Sequence, residues 1–147
     1  NTEIDGEALA TALSKNKVLK TLNLDKTALG DKGAIPLFQV LTYHPTLQSI
    51  SLNQTGIGDA TIHAMIESGF LANTKAVSVD LEGNQICDVG AIALAKEVSS
   101  LRHTPVLEDR FLLLNLKNNP IGDEGALAID QINFLVGSTN DVNVHFD

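Results

Sequence analysis

Residues 111–126 read Phe111-Leu112-Leu113-Leu114-Asn115-Leu116-Lys117-Asn118-Asn119-Pro120-Ile121-Gly122-Asp123-Glu124-Gly125-Ala126, and the rest of the chain repeats their pattern. The fixed positions are apolar residues at 111, 114 and 116, then Asn119, Ile121, Gly122-Asp123 and Gly125-Ala126. The same order returns at Leu19, Leu22, Leu24, Thr27, Leu29, Gly30-Asp31 and Gly33-Ala34. It returns at Leu47, Ile50, Leu52, Thr55, Ile57 and Gly58-Asp59, and again at Ala76, Val79, Leu81, Asn84, Ile86, Cys87-Asp88 and Gly90-Ala91. The copies start at 19, 47, 76 and 111, so their spacings are 28, 29 and 35. A period of this length marks a repeat architecture, in which each unit buries its apolar side only against its neighbours.

Within each copy the period changes from strand to helix. Leu22–Leu24, Ile50–Leu52, Val79–Leu81 and Leu114–Leu116 alternate apolar and polar, as short strands do. A turn follows and ends in Asp31, Asp59, Asp88 or Asp123. Aspartate at a helix start accepts backbone N–H groups and favours the positive end of the helix dipole. Ala91, Leu94, Ala95 and Val98 then fall on one helical face. The small pairs Gly33-Ala34, Gly90-Ala91 and Gly125-Ala126 let each helix approach its turn closely. A helix that returns the chain to the next strand makes the strands parallel and the crossovers right-handed.

Shifting by 28 residues extends the pattern to both ends. Leu9 and Leu13 match Leu37 and Leu41, so residues 6–13 read as the helical half of a repeat. Thr139, Val142 and Val144 match Phe111, Leu114 and Leu116, which places a fifth strand near the C-terminus. The expectation is one α/β domain over 1–147, with a partial repeat at 1–18 and repeats at 19–46, 47–75, 76–110 and 111–138, then a terminal strand at 139–147. Five strands and five helices are expected. The chain begins inside a helical pattern without Met, so it reads as a trimmed piece of a longer protein.

Composition narrows the partners. The net charge of −8 disfavours nucleic acid, which requires clustered Lys and Arg, and disfavours anionic membrane surfaces. A basic or polar protein surface is the better match. Cys87 is the one cysteine, so there is no internal disulfide framework, and a reducing compartment is expected. No stretch approaches the ~20 consecutive apolar residues of a membrane span, and no secretory signal opens the chain.

These copies resemble leucine-rich repeats of the long, 28–29-residue variety found in the ribonuclease inhibitor and the Ran GTPase-activating proteins. The resemblance covers essentially the whole chain. It implies a curved, right-handed βα solenoid, with a parallel sheet on the concave face and helices on the convex side. The chain departs from the family pattern at several points. The asparagine of the turn is present as Asn84 and Asn119 but is replaced by Thr27 and Thr55. A threonine hydroxyl offers less than an amide with donors and an acceptor, so the early turns are expected to be less well tied. Pro36 lacks an N–H, so the first full helix is expected to start late or be distorted. Gly69 is expected to weaken the end of the second.

The alternation turns one set of strand residues outward, onto the concave face. Those are Thr21, Asn23 and Asp25; Ser49, Ser51 and Asn53; Ser78, Asp80 and Glu82; Leu113, Asn115 and Lys117; Asp141, Asn143 and His145. The partner-binding candidates among them are Asn23, Asp25, Ser51, Asn53, Asp80, Glu82, Leu113, Asn115, Lys117, Asn143 and His145. The long third repeat adds a loop with both arginines of the chain, and Arg102, His103 and Arg110 are candidates there because insertions in solenoids map to loops. Asp80 and Glu82 form a carboxylate pair on one strand face, but no motif supplies a third catalytic or metal-binding group, so a solvated pair is the plainer account. His44, His63, His103 and His145 lack zinc-ligand spacing, and His44 and His103 are expected to be surface loop residues. Cys87 takes the place of Gly30, Gly58 and Gly122, as a small residue packed in a turn.

The sequence therefore predicts a non-enzymatic module with no catalytic residue, metal or cofactor. It would bind another protein through its concave face and loop edges, and resemblance to the ribonuclease inhibitor suggests masking of an enzyme's active site. The alternatives are a GTPase activator of the leucine-rich repeat type, using Arg102 or Arg110, and the ligand-sensing fragment of a larger receptor. A cytoplasmic location is expected. The repeat style also fits a bacterial effector delivered into a host cytoplasm.

Overall fold

The computed structural model describes residues 4–101, 112–134 and 142–145. Five short strands form one parallel sheet in chain order: β1 (Thr21–Asn23), β2 (Ser49–Ser51), β3 (Ser78–Asp80), β4 (Leu112–Asn115) and β5 (Val142–His145). Helices connect them: α1 (Gly6–Lys15), α2 (Gly30–Leu41), α3 (Asp59–Glu67), α4 (Phe70–Asn73), α5 (Asp88–Leu101) and α6 (Asp123–Phe134). The result is a leucine-rich repeat solenoid with a concave sheet and convex helices. No helix among the described residues is long and apolar enough to cross a membrane.

Register follows the sequence copies. Leu22 pairs with Ile50, Ile50 with Val79, Val79 with Leu114 and Leu114 with Val144. Of this row, Leu22, Ile50, Val79 and Leu114 are buried between sheet and helices. Leu52, Leu81 and Leu116 form a second buried row, and Leu29, Ile57 and Ile86 a third below the turns. From the helices come Leu37, Phe38, Leu41, Ile62, Met65, Leu94 and Val98. Core and stacking interface are thus the same contacts.

The second repeat holds one more helix than expected. Gly69 adopts the left-handed conformation (φ 79°), which ends α3 outright instead of merely weakening it. The chain then restarts as the single turn α4, and this brings Phe70 and Leu71 into the core. The Phe70 ring stands edge-on to Phe38, with centroids 5.1 Å apart. A late start for the first full helix is also corrected. The helix runs from Gly30 and carries Pro36 inside it.

The turns are tied from one repeat to the next. Asn84 Nδ2 donates to the carbonyls of Leu52 (2.9 Å), Leu81 (2.9 Å) and Glu82 (3.3 Å). Its Oδ1 accepts from the amides of Thr55 (2.9 Å) and Ile57 (3.3 Å) and from the Thr55 hydroxyl. Asn119 does the same one repeat on, joining Leu81, Ile86, Leu116 and Lys117. Among the described residues, Thr27 makes a single side-chain bond, to the Leu24 carbonyl. The looser tie expected of Thr27 is therefore present.

The helix-start aspartates differ from expectation in which helix they serve. Asp31 Oδ1 accepts from the Gly58 amide (2.8 Å), the Thr61 amide (3.1 Å) and the Thr61 hydroxyl (2.5 Å). Asp59 accepts from the Cys87 amide, and Asp88 from the amides of Gly122 and Gly125. Each carboxylate thus caps the turn and helix start of the following repeat, where the dipole also favours it. This explains the glycine after the aspartate. A Cβ on Gly90 would collide with Asp59, and one on Gly125 would lie 2.6 Å from Asp88 Oδ1.

Candidate protein-binding face

The outward strand residues form three rows across the concave sheet. Thr21, Ser49, Ser78, Leu113 and Asn143 stand in register. Asn23, Ser51, Asp80, Asn115 and His145 make the second row. Asp25, Asn53, Glu82 and Lys117 follow two residues later in each copy. Asn23 and Lys117 are exposed, whereas Asp25, Ser51, Asn53, Asp80, Glu82, Leu113 and Asn115 are half-buried. The sheet thereby gathers these nine candidates on one face, and it carries Asn143 and His145 on β5. Arg102, His103 and Arg110 lie outside the described residues.

Most of the polar candidates are already committed to one another. Asp25 Oδ1 accepts from the Ser51 hydroxyl (2.6 Å) and the Asn53 amide (2.8 Å). Asn53 Oδ1 in turn accepts from the Glu82 amide (2.9 Å). Asp80 Oδ1 accepts from Asn115 Nδ2 (2.9 Å) and the Glu82 amide (3.2 Å). Glu82 accepts from Asn115 Nδ2 (3.2 Å) and Asn118 Nδ2 (2.9 Å). The polar stripe is therefore also a lattice across the repeats, which holds its side chains in fixed rotamers. Asn118 follows the strand at a position that the alternation does not reach, so no sequence signal marks it.

Asp80 and Glu82 bind amides, and no histidine joins them, so the pair has no acid–base partner among the described residues. No group of three or more His, Cys, Asp or Glu suited to a metal ion occurs among the described residues. Cys87 is half-buried in its turn, as the small-residue reading expected, with its sulfur 3.4 Å from the Gln85 carbonyl.

His44 requires a correction. It is not a surface loop residue but is buried at the junction of two repeats. Nδ1 accepts from the amides of Thr46 (3.3 Å) and Leu47 (3.2 Å), so Nε2 carries the proton and donates to the Asn16 carbonyl (2.6 Å). Asn16 accepts from Val18 and Leu19 in the equivalent place, 28 residues earlier. That offset was the available signal.

The Leucine Rich repeat family matches this chain at residues 15–38, 72–95 and 110–129. Protein TORNADO 1 of Arabidopsis thaliana is 26% identical over 140 residues, 93% of this chain and 10% of that protein. The ribonuclease inhibitor of Sus scrofa is 26% identical over 106 residues, 72% of this chain and 22% of that protein. FERM domain-containing protein C of Dictyostelium discoideum is 21% identical over 119 residues. The chain thus spans less than a quarter of the length of these relatives. Among solved structures, Leiomodin-1 Actin-Binding Site 2 superposes with a TM-score of 0.68 at 16% identity, covering 94% of this chain and 78% of that one. At that identity the likeness is one of fold.

Proposed function

We propose a protein-docking role for this chain, which is a leucine-rich repeat protein of the ribonuclease-inhibitor-like kind. Leucine-rich repeat proteins are typically non-enzymatic binding modules. The observation that carries the proposal is the lattice on the concave face. Side chains held in place by their neighbours lose little entropy when a partner docks, so the face is preorganised. The specific form we favour is inhibition, in which the arc covers the active site of an enzyme with a basic or polar surface. The name of the porcine relative supports that form, and so does the net charge of −8.

The test uses positions that the lattice leaves alone. Thr21→Arg with Ser49→Arg places bulk in the outermost row, and Ala60→Arg with His63→Glu changes exposed residues of α3. Quantitative capture from lysate should lose its specific partners with the first pair and keep them with the second. The reverse result would move the interface to the helices and overturn the proposal.

A further inference from the structure

One feature of the concave face is not explained by scaffolding. Ser78, Asp80, Leu113, Asn115 and Lys117 line a shallow depression of about 180 Å³ between β3 and β4. Small-molecule pockets usually span roughly 300–1,000 Å³, so this volume suits a single side chain from a protein. Leu113 is the apolar member of a row otherwise made of Thr21, Ser49, Ser78 and Asn143. Asp80 spends Oδ1 on both of its donors, the Glu82 amide and Asn115 Nδ2, and Oδ2 has no hydrogen bond among the described residues. The neighbouring row adds Asp25 and Glu82, against the single cation Lys117.

We propose that the depression seats one arginine side chain of the partner protein, an inference that rests on the docking role above. Its alkyl stem would lie on Leu113 and its guanidinium would meet Asp80 Oδ2. Long cationic side chains bury their stems on apolar surface in this way. Arginine suits the site better than lysine because it is less strongly hydrated and has donors to spare for the Ser78 hydroxyl, two residues along the same strand face. Lys117 on the rim makes an anion the competing occupant.

Methyl and amide NMR on the full chain separates the two. Arginine, as its N-acetyl N-methylamide, should shift the Leu113 methyl and Asn115 side-chain signals with saturation. The uncharged citrulline derivative should bind roughly tenfold more weakly, because it lacks a charge-assisted bond. Asp80→Asn should abolish both shifts, and Leu113→Ser should abolish the shift of the Asn115 side chain. Both substitutions install residue types that neighbouring repeats carry at the same position, Asn23 and Asn115 or Ser49 and Ser78, so the fold has already accepted them. Equal or larger shifts from the leucine or glutamate derivative would overturn the proposal, as would no response to any probe. If the probes fail while Thr21→Arg with Ser49→Arg still removes captured partners, docking stands and the arginine seat falls.

Discussion

Asn84 takes part in six hydrogen bonds, nearly all to backbone groups of two successive turns, and is 2% exposed. Alanine there leaves several buried amides and carbonyls unmatched. Asn84→Ala should lower the unfolding free energy by about 3 kcal/mol, whereas threonine, the residue of the earlier turns, should cost roughly half of that. Chemical denaturation measures both, and equal losses would contradict this account of the turn. His44→Ala should cost about 2 kcal/mol and His44→Asn less, since asparagine can accept the same two amides as Asn16 does. Lys26 adopts a left-handed φ of 60°, at the position where the third repeat has Gly83. Lys26→Gly should therefore stabilise the protein by about 1 kcal/mol. The sequence showed that Asn84 and Asn119 mattered. It hid His44, because a histidine before a proline looks like loop chemistry until its offset of 28 from Asn16 is noticed.

Strands and long helices were legible because their apolar periods are strong and recur at Leu22, Ile50, Val79 and Leu114. The short α4 was not, since a four-residue helix has no period to read. Its cause is the pair Phe70 and Leu71, which must reach the core directly after a left-handed glycine. The aspartates carry the signature of caps, but sequence spacing cannot tell which helix receives the carboxylate. Gly122 provides the check, because the atoms nearest to a Cβ there all belong to Asp88, with Oδ2 at 2.9 Å. Gly122→Ala should cost about 1 kcal/mol in the native protein and close to nothing when Asp88 is already alanine. Additive effects in that double-mutant cycle would show that α5 and α6 do not couple through this carboxylate.

Across the whole molecule, stability is a sum of interfaces between neighbours, and the middle repeats have one on each side. Amide exchange should be slowest in β2 and β3 and faster in β1, which pairs on one side only among the described strands. Slowest exchange in β1 would show that stacking does not govern the order. The outward rows of the sheet were legible in the alternation, and their role in joining the repeats was not. Asp25, Asn53 and Glu82 looked like freely solvated candidates because a hydrogen bond between residues ~28 positions apart has no local signature in sequence. A charge reversal at Glu82 would therefore disturb the scaffold as well as any interface, and Asn118→Ala, which removes one donor to Glu82, is the gentler probe.

The forward direction of the aspartate ties gives the solenoid an arrow. Asp31 serves the turn at Gly58, Asp59 the turn at Cys87, and Asp88 the turn at Gly122. Cutting away a unit from the front strips the next helix of its carboxylate acceptor, while cutting from the back removes the asparagine that ties the turn before it, as Asn119 ties Leu81 and Ile86. Shortening the protein by whole units should therefore loosen a helix start from one direction and a turn from the other.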